Sequence, residues 1–220
     1  MKKKFIFISL FISLLSQTAQ ANKAAGVMGA STLGSRQIAI TGNIGLDIAP
    51  EPLFYGIRAD VGLGKRFQIG LGGSYFGFVS GAGLYLKGNV WHSADDKHFL
   101  SISVNPSFLY IDDLFFADDK TYITFIKPSL DYELRLGNEK SIGWYSRFGG
   151  LKALSATDGN DTEFIGDTGT FSLFLETGLQ GRFSEHFSGH IELGQYVPIS
   201  PDVDFSRFGI HGKIGFSFLF

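Results

Sequence analysis

Apolar and polar positions alternate one by one through most of this chain, most sharply at its end, RFGIHGKIGFSFLF over residues 207–220. Phe208, Ile210, Gly212, Ile214, Phe216, Phe218 and Phe220 form one row of side chains. Arg207, Gly209, His211, Lys213, Gly215, Ser217 and Leu219 form the other. A period of two sends successive side chains to opposite faces, which is the signature of a β-strand. The first row holds no polar side chain and the second holds basic and titratable ones, the division expected with lipid on one side and water on the other. The same reading predicts strands at 37–48, 55–63, 67–78, 83–91, 99–111, 122–136, 141–151, 170–183 and 187–197. An edge strand of a soluble sandwich would share the period, so the sixth segment is the more informative one. There Ile126, Leu130, Tyr132, Leu134 and Leu136 alternate with Lys127, Asp131, Glu133 and Arg135, a second row that no soluble core face could hold.

These elements predict an all-β fold, a closed antiparallel transmembrane β-barrel of about ten strands, or eight if two of the hairpins are loops. Connections near residues 65, 95, 138 and 185 are short, while 112–121 and 152–169 read as long polar loops. Short turns belong to the periplasm and long loops to the outside. The inward row collects Asp47, Asp60, Asp131, Glu133, Glu176 and Glu192 against Arg58, Lys87, Lys127, Arg135, Arg147, Arg182, Arg207 and Lys213. Opposite charges in so narrow a lumen are expected to pair, and at about ten strands they would plug it or leave a narrow pore.

The N-terminus changes the picture of where the barrel begins. Lys2, Lys3 and Lys4 precede an apolar run from Phe5 to Leu15 and then Ala19-Gln20-Ala21, which predicts a secretory signal over 1–21, cleaved after Ala21. Residues 22–36 lack a clear period and are read as a periplasmic lead or plug, leaving 37–220 as the barrel domain. No later segment approaches the ~18 consecutive apolar residues of a helical span. With no cysteine the exported chain has no disulfide framework, so closure of the sheet must supply its stability. The 29 glycines and 23 phenylalanines suit tight interior packing and aromatic girdles. A formal net charge of -2 argues against a nucleic-acid partner.

The terminal aromatic with apolar residues two and four positions before it (Phe216, Phe218, Phe220) resembles the C-terminal signal read by the Gram-negative outer-membrane assembly machinery. The mature chain as a whole resembles small OmpA-like and porin-like outer-membrane β-barrel proteins. That resemblance implies the cell outer membrane of a Gram-negative bacterium, contact with outer-membrane lipid and lipopolysaccharide, and a structural, surface-interaction or narrow-pore role. It transfers no functional residues, and the surface partner stays unknown.

A second class, an outer-membrane lipid-modifying enzyme, is suggested by His186 and Ser188, with His190 and Glu192 further along the same strand. Their His-x-Ser spacing faintly resembles lipid A deacylases. The pair stands beside a short periplasmic turn, however, at the opposite end from the outer leaflet. No cofactor or metal is expected, because the loop run TDGNDTEFIGD lacks the glycine and final glutamate of a calcium loop. The run DDLFFADDK places Leu114, Phe115 and Phe116 at a loop tip that could meet another loop, lipopolysaccharide or a partner.

Overall fold

One antiparallel sheet carries the chain, built from β1 (Ile38–Asp47), β2 (Leu53–Leu63), β3 (Phe67–Phe76), β4 (Val79–His92), β5 (His98–Asp112), β6 (Lys120–Leu136), β7 (Ile142–Asp158), β8 (Phe164–Ile165), β9 (Phe171–Arg182), β10 (Phe187–Pro198) and β11 (Gly209–Leu219). This computed structural model describes residues 27–47, 53–76, 79–112, 120–137, 141–158, 164–165, 171–199 and 209–220. The expected signal peptide, Arg207, Phe208 and most of the DDLFFADDK and TDGNDTEFIGD runs lie outside the described residues.

Pairing follows chain order from β1 to β7, passes to β9, β10 and β11, and returns from β11 to β1. Ten strands therefore close a barrel, and the two-residue β8 is a rung on the far end of β7. Closure leaves none of the ten with an unpaired edge. The eight-strand alternative is excluded. At the seam the main chains of Ile38 and Phe220 exchange both hydrogen bonds, at 3.1 and 2.8 Å.

The two-row division holds around the circumference. Ile44, Ile57, Leu71, Leu84, Ile102, Leu130, Phe148, Leu175, Leu193 and Ile214, one from each barrel strand, are all exposed. The inward positions between them are filled by polar and aromatic side chains, which is the arrangement of a membrane-spanning barrel. Phe67, Trp91, Trp144, Phe183 and Phe220 lie exposed at the short-turn ends, and Tyr55, Tyr75 and Phe171 at the other. Gly64, with φ at +76°, supplies the left-handed residue of the β2–β3 turn, where a side chain would be strained.

One predicted boundary is corrected. Residues 152–158, read as the start of a polar loop, continue β7, which pairs with β6 as far as Thr121 opposite Asp158. In that stretch, KALSATD, apolar and polar positions no longer alternate one by one, while the backbone ladder with β6 continues.

Candidate functional site

The barrel interior is entered by the chain's own N-terminal segment. A reversal over Gly34–Gln37, closed by Gln37 N–H donating to the Gly34 carbonyl at 3.0 Å and using Arg36 at φ +65°, turns the chain back from the start of β1. Residues 27–34 are all buried. They form no ladder with the wall. Their backbone groups are met instead by wall side chains, one after another.

The amides of Met28 and Gly29 donate to Gln180 Oε1 at 3.1 and 3.0 Å, that of Ser31 to Glu133 Oε2 at 2.7 Å, and that of Leu33 to Gln68 Oε1 at 3.1 Å. The carbonyls are covered from other directions. Lys87 Nζ donates to Val27, Gly29 and Ser31 at 3.1, 2.8 and 3.0 Å, so all three ammonium hydrogens are used. Ser101 donates to the Ala30 carbonyl, and Arg147 Nη2 to that of Met28 at 2.9 Å. A buried amide without an acceptor costs about 1–3 kcal/mol, so this coverage is what allows an irregular segment to stay inside. Gly29 is fitted to the spot: a Cβ there would collide with Glu133 Oε2 and Gln180 Nε2.

The wall charges form short chains of pairs. Arg147 bridges Asp131 at 3.2 Å and Glu176 at 2.6 Å. Lys127 also pairs with Glu176, donates to Tyr196 at 2.8 Å and lies 4.0 Å from the Phe174 ring centre. Lys213 pairs with Glu192, which also accepts from Tyr145 at 2.8 Å. Arg58 and Gln68 share Asp60, and Arg58 covers the Tyr85 ring. Arg135 reaches Glu133 at 3.3 Å and lies over Phe99. Among the lumen residues whose side chains are described, which leaves out Asp47, six cations (Arg58, Lys87, Lys127, Arg135, Arg147, Lys213) face five carboxylates (Asp60, Asp131, Glu133, Glu176, Glu192). Lys87 is the cation held by carbonyls alone.

Above the segment, toward the long connections, lies a cavity of about 280 Å³. Val27, Met28 and Lys87 border it on the side of the segment, and its wall includes Asn43, Arg58, Tyr85, Asn105, Lys127, Tyr196 and Lys213.

Several sequence-derived positions sit elsewhere. Arg182 does not join the lumen pairs: at the last residue of β9 its guanidinium turns to the Ser184 and Glu185 carbonyls at 3.0 and 2.5 Å and braces the turn into β10. Asp47 stands opposite His211 in the β1–β11 register. His186 Nδ1 lies 2.9 Å from the Leu219 carbonyl rather than on Ser188, and Glu192 is engaged by Lys213 and Tyr145. Glu176, Glu192 and His211 bring ligand atoms within 4.8 Å of one another, but Lys127, Arg147 and Lys213 already neutralise the two carboxylates. Sequence reading placed Gln180 inward with Glu176, as found, and missed Tyr145 and Phe174 as lumen residues. Their membership of the inward rows was the available signal.

No family model and no curated protein matches the sequence. Among solved structures, the chain is similar to the N-terminal β-barrel domain of Pseudomonas aeruginosa OprF, at 10% identity over 85% of this chain and 99% of that one, with a TM-score of 0.42. The NanC porin aligns at 10% identity over 81% and 98%, TM-score 0.45, and the KdgM porin at 8% over 82% and 98%, TM-score 0.38. At these scores none of them bears on what this barrel does.

Proposed function

We propose that this protein spans the bacterial outer membrane as a narrow pore for small polar solutes, held shut by its own residues 27–34. The apolar belt and closed sheet support the membrane setting, with the short turns on the periplasmic side. One observation carries the functional half. The segment that fills the lumen is bonded to wall side chains and, through the Thr32 hydroxyl, to the Lys65 carbonyl of the β2–β3 turn, and pairs with no wall strand, so it can leave without breaking a single rung of the barrel. The cavity above it is then the outer half of a path whose inner half the segment occupies. A barrel that served only as a scaffold would have no use for a separable filling.

The membrane setting is tested by lipid bromine. Trp91 and Trp144 are exposed at the short-turn ends, 52% and 38% respectively, so lipids brominated near the carbonyls should quench their fluorescence more than lipids brominated near the chain ends. No quenching at either depth would place the tryptophans in water. Assembly is tested at the seam. Deleting Phe220 removes both of its bonds to Ile38 and the last aromatic of the terminal row, and should lower heat-modifiable protein in the outer membrane several-fold. Assembly at the normal level would move the signal elsewhere. The closed-pore reading itself is tested by displacing the segment, as set out in the Discussion.

A further inference from the structure

We propose that the path opened by release of residues 27–34 favours small inorganic anions, and that Lys87 sets this preference. The proposal rests on the closed-pore reading above. Every carboxylate of the described lumen already has an arginine or lysine within 4 Å, and those pairs lie between wall residues. They persist when the segment leaves. Lys87 is different, because its three partners are the carbonyls of Val27, Gly29 and Ser31, and all three depart together. Its wall neighbours in the register, Gln68 on β3 and Ser103 on β5, carry no charge, and the carboxylates they bond, Asp60 and Asp131, are already held by Arg58 and Arg147. Among the lumen side chains that are described, the emptied path therefore holds one cation more than its carboxylates, the Lys87 ammonium, at the border of the cavity. A single uncompensated charge between low-dielectric walls raises the local concentration of the opposite ion and repels its own sign. The filling segment thus does two things with one set of carbonyls: it blocks the path and neutralises the charge that would select what passes.

The test is the reversal potential of the refolded full barrel in planar bilayers under a potassium chloride gradient. Two openers are used, a deletion of 27–34 and Gly29→Leu, so that failure of one to fold leaves the other. Both should show chloride favoured over potassium by about two- to fivefold, the scale of one focused charge. Lys87→Met in the same open backgrounds should bring the ratio to unity or below, and Lys87→Glu should invert it. Raising the salt should weaken the preference as the charge is screened. Open channels that favour potassium, or a chloride preference that Lys87→Met leaves unmoved, overturn the proposal while the closed-pore reading stands. If neither opener conducts, the closed-pore reading falls and the proposal falls with it.

Discussion

Replacing Gly29 by leucine is expected to turn a barrel with little or no ionic current into one with resolved open steps, a mean current at least about tenfold above wild type at equal protein. Gly29 is held from two sides. Its amide donates to Gln180, its carbonyl accepts from Lys87, and the space a side chain would need is filled by the Glu133 carboxylate and the Gln180 amide. Those groups cannot retreat freely, since Glu133 is fully buried and also binds the next amide but one, that of Ser31. A leucine must therefore push the segment off its acceptors. The wall is untouched by the substitution, so the barrel should keep its heat-modifiable mobility and its β circular dichroism spectrum. A variant that folds, has its N-terminal segment open to added protease, and still passes no current would show that the wall pairs alone close the lumen.

The second large effect is on stability. Glu133→Ala should lower the unfolding free energy of the refolded barrel by about 3 kcal/mol, read as a shift in denaturant midpoint. The structure supplies Arg135 at 3.3 Å and, on the other oxygen, the amide of Ser31 at 2.7 Å. Alanine strands both in a space that holds little water. Glu133→Gln, which still offers a carbonyl oxygen to Ser31, should lose less stability than alanine. Combining Glu133→Ala with Arg135→Leu should recover part of the loss, because the uncompensated charge goes too. A midpoint unchanged in Glu133→Ala would mean that water reaches both groups and that the inner end of the barrel is wet.

How much of this was legible beforehand follows from where lipid lies. Where one face meets hydrocarbon, as along Ile126 to Leu136, alternation is enforced residue by residue and the strand can be read directly. Over 152–158 that alternation lapses, and the end of β7 reads as a loop although its ladder with β6 runs on. Inside the barrel the expectation that inward means polar holds for a water-filled channel. In one filled by side chains, Tyr145 and Phe174 can face inward as packing for Glu192 and Lys127, and they do. The seating of residues 27–34 was the least legible feature, because it is made by backbone amides and carbonyls that no side-chain pattern marks. Their acceptors and donors come from strands far apart in the chain, Gln68, Lys87, Ser101, Glu133 and Gln180 among them.

The reversal at Gly34–Gln37 joins the filling segment to β1 without any linker. The segment is in effect a ligand tied to its receptor, and its local concentration at the seat is set by that tie rather than by anything in solution. Short connections of this kind correspond to effective concentrations in the millimolar range, roughly, and higher where the geometry is already correct. Release should therefore be brief and self-reversing, seen as flicker rather than as lasting openings. A free peptide copied from residues 27–34 would have to be supplied at about millimolar levels to compete for the seat. Cutting the chain between Gly34 and β1 would remove that advantage at once, and lasting openings are then the expected result in place of flicker.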